Sequence, residues 1–276
     1  MIKSRLHKLY KNVDDLIRPK KTLYFLHIPK SGGTSLVHFL RNSFQPHHWL
    51  NDGCYSIKHF LNLTREDFIQ NHCFRGHFGM LFFNQFDRPL DHFVTILRDP
   101  IEQFCSNVHF QKQRFEQGLF EPWKRTEWVR IFDHPDYFNR FVNFRISSKN
   151  LSPILHNVGF KISHEIFTIK DYRKEVRRIQ QEADYDILFN EAKSNLSKMT
   201  TIMFLEDIER STTRLCKDLN IPHPMTFPIL NKGFLHPKNT TYKERLNKEN
   251  LERIEEYLKY DIKLYQYAKE LDNSVK

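Results

Sequence analysis

One lysine, two adjacent glycines and three hydroxyl side chains stand within Pro29-Lys-Ser-Gly-Gly-Thr-Ser35. Such a run can hold an anion. Gly32 and Gly33 let backbone N–H groups approach a phosphate closely, and Lys30 adds a point charge. Ser31 lies inside the loop, and Thr34 and Ser35 can donate hydroxyls where a helix would begin. Free amides and the helix dipole both favour negative charge there. Glycine is scarce, eight in 276 residues, so an adjacent pair is informative. The run is not a nucleoside-triphosphate loop, which needs G-x-x-x-x-G-K-[ST] with the lysine after the last glycine. Here Lys30 precedes the pair. Taken alone, the run also fits an ordinary strand-to-helix turn that needed small residues.

A second polar group stands at Arg98-Asp-Pro-Ile-Glu-Gln-Phe-Cys-Ser106. Arg98 offers a planar fork for a phosphate. Pro100 suits the first turn of a helix and Asp99 its cap. On that helix Ser106 lies about two turns on and can face back toward Arg98, at roughly 3.6 residues per turn. The competing reading of Arg98 is a local salt bridge with Asp99. A general base with a pKa near operating pH is best supplied by histidine. With fifteen histidines, residue type alone means little. His77 stands out by position, in Arg75-Gly-His77 between the two polar groups, with a buried structural role as the alternative. His27 is expected to pack in its strand, and His109 is a lesser candidate. No cluster has metal-ligand spacing, so no metal is expected. Four cysteines (Cys54, Cys73, Cys105, Cys216) form no C-x-x-C pair.

Elements that can position these groups follow from the apolar pattern. Residues 22–28, 93–97 and 201–205 are continuous apolar runs of strand length, as in strands buried on both faces of a parallel sheet. Residues 73–78 supply a fourth candidate. Helical spacing follows at 34–44, 101–117 and 208–219, and one long helix is expected over 248–271, with apolar Leu251, Ile254, Tyr257, Leu258, Ile262 and Tyr265. Strands alternating with helices predict an α/β fold with a P-loop-like central parallel sheet flanked by helices. A single domain spanning 1–276 is expected, with 1–21 a basic arm or helix and 110–190 a mainly helical insertion.

The residues also carry a resemblance. Pro29-Lys-Ser-Gly-Gly-Thr-Ser35 resembles the 5'-phosphosulfate loop of sulfotransferases that use 3'-phosphoadenosine 5'-phosphosulfate (PAPS). Arg98 through Ser106 resembles their 3'-phosphate motif. The preceding His27-Ile-Pro29 is similar to the carbohydrate branch that includes the heparan sulfate 2-O-sulfotransferases. Looser likeness runs through Ala192–Leu196, Thr201–Glu206, Asn239–Thr241 and Asp261–Tyr265. The resemblance implies PAPS as sulfuryl donor, held by Lys30, Ser31, Gly32, Gly33, Thr34, Ser35, Arg98 and Ser106. It implies Lys30 at the leaving phosphate and His77, from a Gly-His pair, as base. Lys238 is a weaker candidate for a nucleotide contact, with a solvated lysine as the favoured reading. Gln103 departs from the family, which often has arginine there.

Composition bounds the rest. Lys and Arg total 43 against 33 Asp and Glu, a net charge of +10, which favours an anionic partner without choosing one. An acidic sugar or glycan acceptor suits that charge. No nucleic-acid motif is present. No stretch reaches the roughly 18 apolar residues of a membrane helix, and residues 1–21 are too charged for a signal peptide, so a cytoplasmic enzyme is expected. Two rival classes remain: a P-loop kinase, distinguished by preference for ATP and magnesium, and a polyanion-binding protein without turnover.

Overall fold

The computed structural model describes residues 22–43, 61–64, 66–67, 71–77, 90–119, 128–147, 152–159, 168–182, 184–220, 227–228, 230 and 241–274. The expected N-terminal arm, Cys54 and Lys238 lie outside them. Strands β1 (Leu23–Leu26), β2 (Cys73–Gly76), β3 (His92–Leu97) and β4 (Thr201–Phe204) form one sheet in the order β2-β1-β3-β4. Every pairing is parallel. Helices α1 (Gly33–Ser43), α2 (Pro100–Glu116), α3 (Tyr137–Ser147), α4 (Ile169–Glu182), α5 (Tyr185–Ser197), α6 (Ile208–Leu219), α7 (Lys248–Tyr257) and α8 (Lys259–Ser274) accompany it.

The continuous apolar runs are strands because both sheet faces are covered. Along β1, Tyr24 and Leu26 join the core beneath α5 and α8, with Ala192, Leu196 and Leu264. Leu23 and Phe25 join the opposite core, with Leu36 and Phe39 of α1 and Leu215 of α6. Successive side chains of a strand point to opposite faces, so two apolar faces require an unbroken apolar run. The described parts of 110–190 are mainly helical. There α2 and α3 enclose a third, aromatic core in which Phe132, Phe141 and Trp128 stack closely. That core takes up several of the chain's 25 phenylalanines.

The helix expected over 248–271 is two helices. The backbone breaks at Leu258 (φ −97°, ψ 10°). Its amide still donates to Ile254 O, and its carbonyl accepts from Ile262 N. The break serves two cores at once. Ile254 and Leu258 face the aromatic core, whereas Leu264, Tyr265 and Ala268 face the sheet. A straight amphipathic helix presents one stripe and would leave one of these cores uncovered.

Topology also fixes where a ligand can bind. From β1 the chain turns by α1 toward β2, across one face. From β3 it returns to β4 through α5, across the other. The loops leaving β1 and β3 therefore part, and open parallel sheets bind ligands in such crevices at the strands' carboxyl ends.

Candidate active site

The loop after β1 owes its shape to two left-handed residues, Lys30 (φ 66°) and Gly32 (φ 87°). Glycine accepts that region freely. Lysine does not, so Lys30 is held in a conformation that costs about 1–2 kcal/mol. Gly33, the first residue of α1, is needed for another reason. A Cβ there would lie 2.0 Å from His27 Nε2. The imidazole of His27, almost fully buried, packs directly on the Gly33 backbone. Gly33→Ala is therefore expected to displace that ring and lower stability by about 1–3 kcal/mol, as measured by urea unfolding. An unfolding midpoint equal to the parent's would mean that the ring swings aside freely.

Gly32 O accepts from Ser35 N (3.0 Å) and Leu36 N (3.2 Å) as α1 begins. Ser31 is buried, Thr34 is exposed, and the buried Ser35 Oγ accepts from Leu230 N at 3.0 Å. The hydroxyls thus differ in setting: Thr34 faces outward while Ser35 also ties down a distant backbone segment. Gln103 of α2 braces the loop from the side. Its Nε2 donates to Pro29 O (2.7 Å) and lies 3.3 Å from Ser31 Oγ.

Arg98 follows β3, the strand beside β1. Its Nη2 lies 3.3 Å from Glu102 Oε2, and its guanidinium lies 5.9 Å from the centre of the Tyr242 ring. Asp99 is the cap of α2, as expected, with Oδ1 accepting from Ile101 N and Glu102 N. Ser106 stands one turn beyond Glu102, on the same stripe of α2. Lys30 reaches toward this group. Its ammonium lies 4.0 Å from the Phe110 ring centre. Burial first, and then the positive charge of Arg98, lower its pKa from the usual ammonium value. Two partly buried cations from separate loops thus repel each other at the sheet's carboxyl edge. An anion between them would relieve that repulsion.

His77 reaches the same edge through strand register. Leu26 pairs with Gly76, and His27 N donates to Gly76 O at 2.9 Å. His77 then lies beside His27, with ring centres 4.3 Å apart. Its Nδ1 is 2.7 Å from His27 O. A carbonyl only accepts, so Nδ1 carries the proton and the lone pair belongs to Nε2. Burial lowers the His77 pKa, the His27 carbonyl raises it, and Arg75 lowers it. The ring is therefore neutral at neutral pH. His109 lies in an aromatic setting on the Arg98 side, stacked 5.0 Å from Tyr242.

The structure thus brings the glycine loop, Arg98, the Ser106 stripe and His77 to one edge. Among the described residues no group of His, Cys, Asp or Glu could hold a metal ion. No helix there is long and apolar enough to cross a membrane. Compared with known families, residues 14–268 match the model of the Sulfotransferase family. The chain belongs to that family. No individual curated protein matches it.

Several side chains complete the edge beyond the residues first assigned to it. Glu206, after β4, accepts from Asp99 N at 2.9 Å and from the Tyr265 hydroxyl at 2.8 Å. It joins the Arg98 loop to α8. Tyr242 lies under Arg98, and Gln103 braces the loop. Only Gln103 carried a sequence signal, as a departure from the resembling motif. For Glu206 and Tyr242 nothing in local spacing points to the site, since both arrive from distant segments.

Proposed function

We propose that the chain transfers a sulfuryl group from PAPS to an acceptor hydroxyl, on a carbohydrate. The observation that carries the donor assignment is the placement of Lys30 and Arg98, which follow the neighbouring parallel strands β1 and β3 at the sheet's carboxyl edge. A donor with two separate phosphates neutralises both. PAPS supplies the activated sulfuryl group on its 5'-phosphate. Lys30, Ser31, Gly32, Gly33, Thr34 and Ser35 hold that end. Arg98 and Ser106 hold the 3'-phosphate, which distinguishes this donor from ATP. Arg98 must exchange its contact with Glu102 for the phosphate, and Glu102 keeps a second partner, Lys243 N at 2.9 Å.

His77 Nε2 takes the acceptor's proton as the acceptor oxygen bonds to sulfur and the sulfur–phosphate oxygen bond breaks. Lys30 balances the charge left on 3',5'-adenosine bisphosphate. Preorganised charge of this kind is the main catalytic resource in such transfers. The Gly-His at 76–77 and the His-Ile-Pro at 27–29 support the carbohydrate branch, and the net charge of +10 suits an acidic sugar or glycan. A single catalytic domain with 110–190 as insertion fits this reading.

The test is calorimetric titration with 3',5'-adenosine bisphosphate beside AMP and ATP. The bisphosphate is expected to bind at least about tenfold tighter than either, a difference of ~1.4 kcal/mol or more. Arg98→Ala is expected to remove that preference while leaving AMP binding nearly unchanged. A preference for ATP would overturn the donor assignment and favour a kinase.

A further inference from the structure

Helix α4 carries a row of cations that belongs to neither phosphate motif. Lys170, Arg173, Lys174 and Arg177 recur every three or four residues. They form one stripe about 10 Å long, at roughly 1.5 Å per residue. All four are exposed. Among the described residues none of the four side chains has an ion pair or hydrogen bond, and the acids of the helix are engaged elsewhere. Arg178 takes Glu175 Oε1 (2.7 Å) and Glu182 Oε2 (3.0 Å), while Asp171 Oδ2 accepts from Thr168 Oγ1 (2.6 Å). The apolar residues of α4 are turned inward. Ile179 joins the core beneath α5 and α8, and Val176 packs against it. At about 3.6 residues per turn those two lie nearly opposite the stripe.

These charges work against the stability of the helix that holds them. Lys170 repels Arg173 and Lys174, and Arg177 repels the same two, all at i,i+3 or i,i+4 spacing. Lys170 also stands in the first turn, where the helix dipole is already positive. The last turn, where a cation would be favoured, holds none. An external array of negative charge turns each of these repulsions into attraction. Geometry selects the form of that array. The stripe points away from the sheet face that α4 helps to cover, whereas the donor loop and Arg98 stand at the sheet's carboxyl edge. A planar partner can therefore meet the stripe while the edge stays open. With Ile179 and Val176 committed to the core, no apolar face is left on α4 for insertion, so the contact is electrostatic and superficial.

We propose that α4 docks the protein on an anionic phospholipid surface, with Lys170, Arg173, Lys174 and Arg177 facing the lipid phosphates. Four or more cations on one amphipathic helix are the usual footprint of such docking. The attachment is peripheral and salt-sensitive, since exposed charges are screened over roughly 8–10 Å at physiological ionic strength. It is independent of the donor assigned to the glycine loop.

The test is flotation of the full chain at low salt with two kinds of vesicle, phosphatidylcholine alone and phosphatidylcholine mixed equally with phosphatidylglycerol. One variant combines Lys170→Gln, Arg173→Gln, Lys174→Gln and Arg177→Gln. A control variant loses the same charge at exposed positions elsewhere, through Lys198→Gln, Lys217→Gln, Lys248→Gln and Lys263→Gln. The parent is expected to float with the anionic vesicles and not with the neutral ones. Each cation close to such a surface is worth roughly fivefold in affinity, so the α4 variant should lose more than about 100-fold and the control less than about tenfold. With the repulsion gone, the urea midpoint of the α4 variant should equal or exceed the parent's. Heparin, a soluble polyanion, is titrated in parallel. Equal losses in the two variants would assign binding to net charge and overturn the role of α4. Absence of flotation in the parent would overturn the lipid surface, and heparin binding that needs the α4 cations would then point to a soluble polyanionic chain. A midpoint well below the parent's in the α4 variant would make the cations structural and overturn the docking.

Discussion

Lys30→Ala is expected to lower the turnover of sulfuryl transfer by about 10²–10³-fold, the usual loss when one preorganised charge is removed from a transition state. The same residue carries a structural cost. Its φ of 66° lies in the left-handed region, where an L side chain is disfavoured. A second substitution separates charge from backbone strain. Lys30→Gly removes the ammonium as completely as alanine does but relaxes the backbone. It should match the alanine variant in activity and exceed it in stability by about 1 kcal/mol, read from urea unfolding of the two variants. The comparison between variants matters because both lose the contact of the ammonium with the Phe110 ring. Full activity in Lys30→Ala would sink the assignment of this loop to the leaving phosphate.

His77→Asn is expected to cost about 10²–10⁴-fold in turnover, the usual contribution of a positioned general base. Asparagine is the informative choice. Its side-chain amide can still donate to His27 O, as His77 Nδ1 does at 2.7 Å, yet it has no basic nitrogen. Affinity for 3',5'-adenosine bisphosphate should therefore stay near that of the parent. The pH profile gives an independent reading. Burial holds the His77 pKa below the usual 6.5. Protonation removes the base, so activity should fall on the acid side at a pH below about 6.5 and stay level as pH rises through neutrality. An acid limb above 6.5 would assign the titration to another group. Collapse of bisphosphate affinity in His77→Asn would make the residue a structural support of the loop, acting through the His27 ring 4.3 Å away.

The two largest expected effects thus fall on residues that local pattern had singled out, and the reasons differ. Lys30 was legible because a phosphate loop is a local device. Its glycines, lysine and helix start lie within a few residues, so spacing alone expresses the chemistry. Three of the four parallel strands were legible for a similar reason. A strand buried on both faces must be apolar throughout, and the runs containing Leu23–Leu26, His92–Leu97 and Thr201–Phe204 say so without reference to their neighbours. His77 was legible as a position between two motifs and as part of a Gly-His pair. Its proximity to the loop follows from the register of β2 on β1, which no local pattern states.

What the sequence by itself determined was therefore the α/β class, the alternation of strand and helix, and a glycine-rich loop carrying Lys30 at a strand end. What only the tertiary structure decided was everything set by packing between distant segments. The break at Leu258 is one case, because a single helical period covers 248–271 and only the presence of two cores divides it. The tautomer of His77 is another, fixed by a carbonyl fifty residues away in the chain. Glu206 bridging Asp99 and Tyr265, and Gln103 bracing the glycine loop through Pro29 O, are the others. The physical reason is common to all four. Periodicity and short-range spacing record what a segment needs from its own backbone and from solvent. The partners of a buried polar group are chosen by the approach of elements whose separation along the chain carries no local trace.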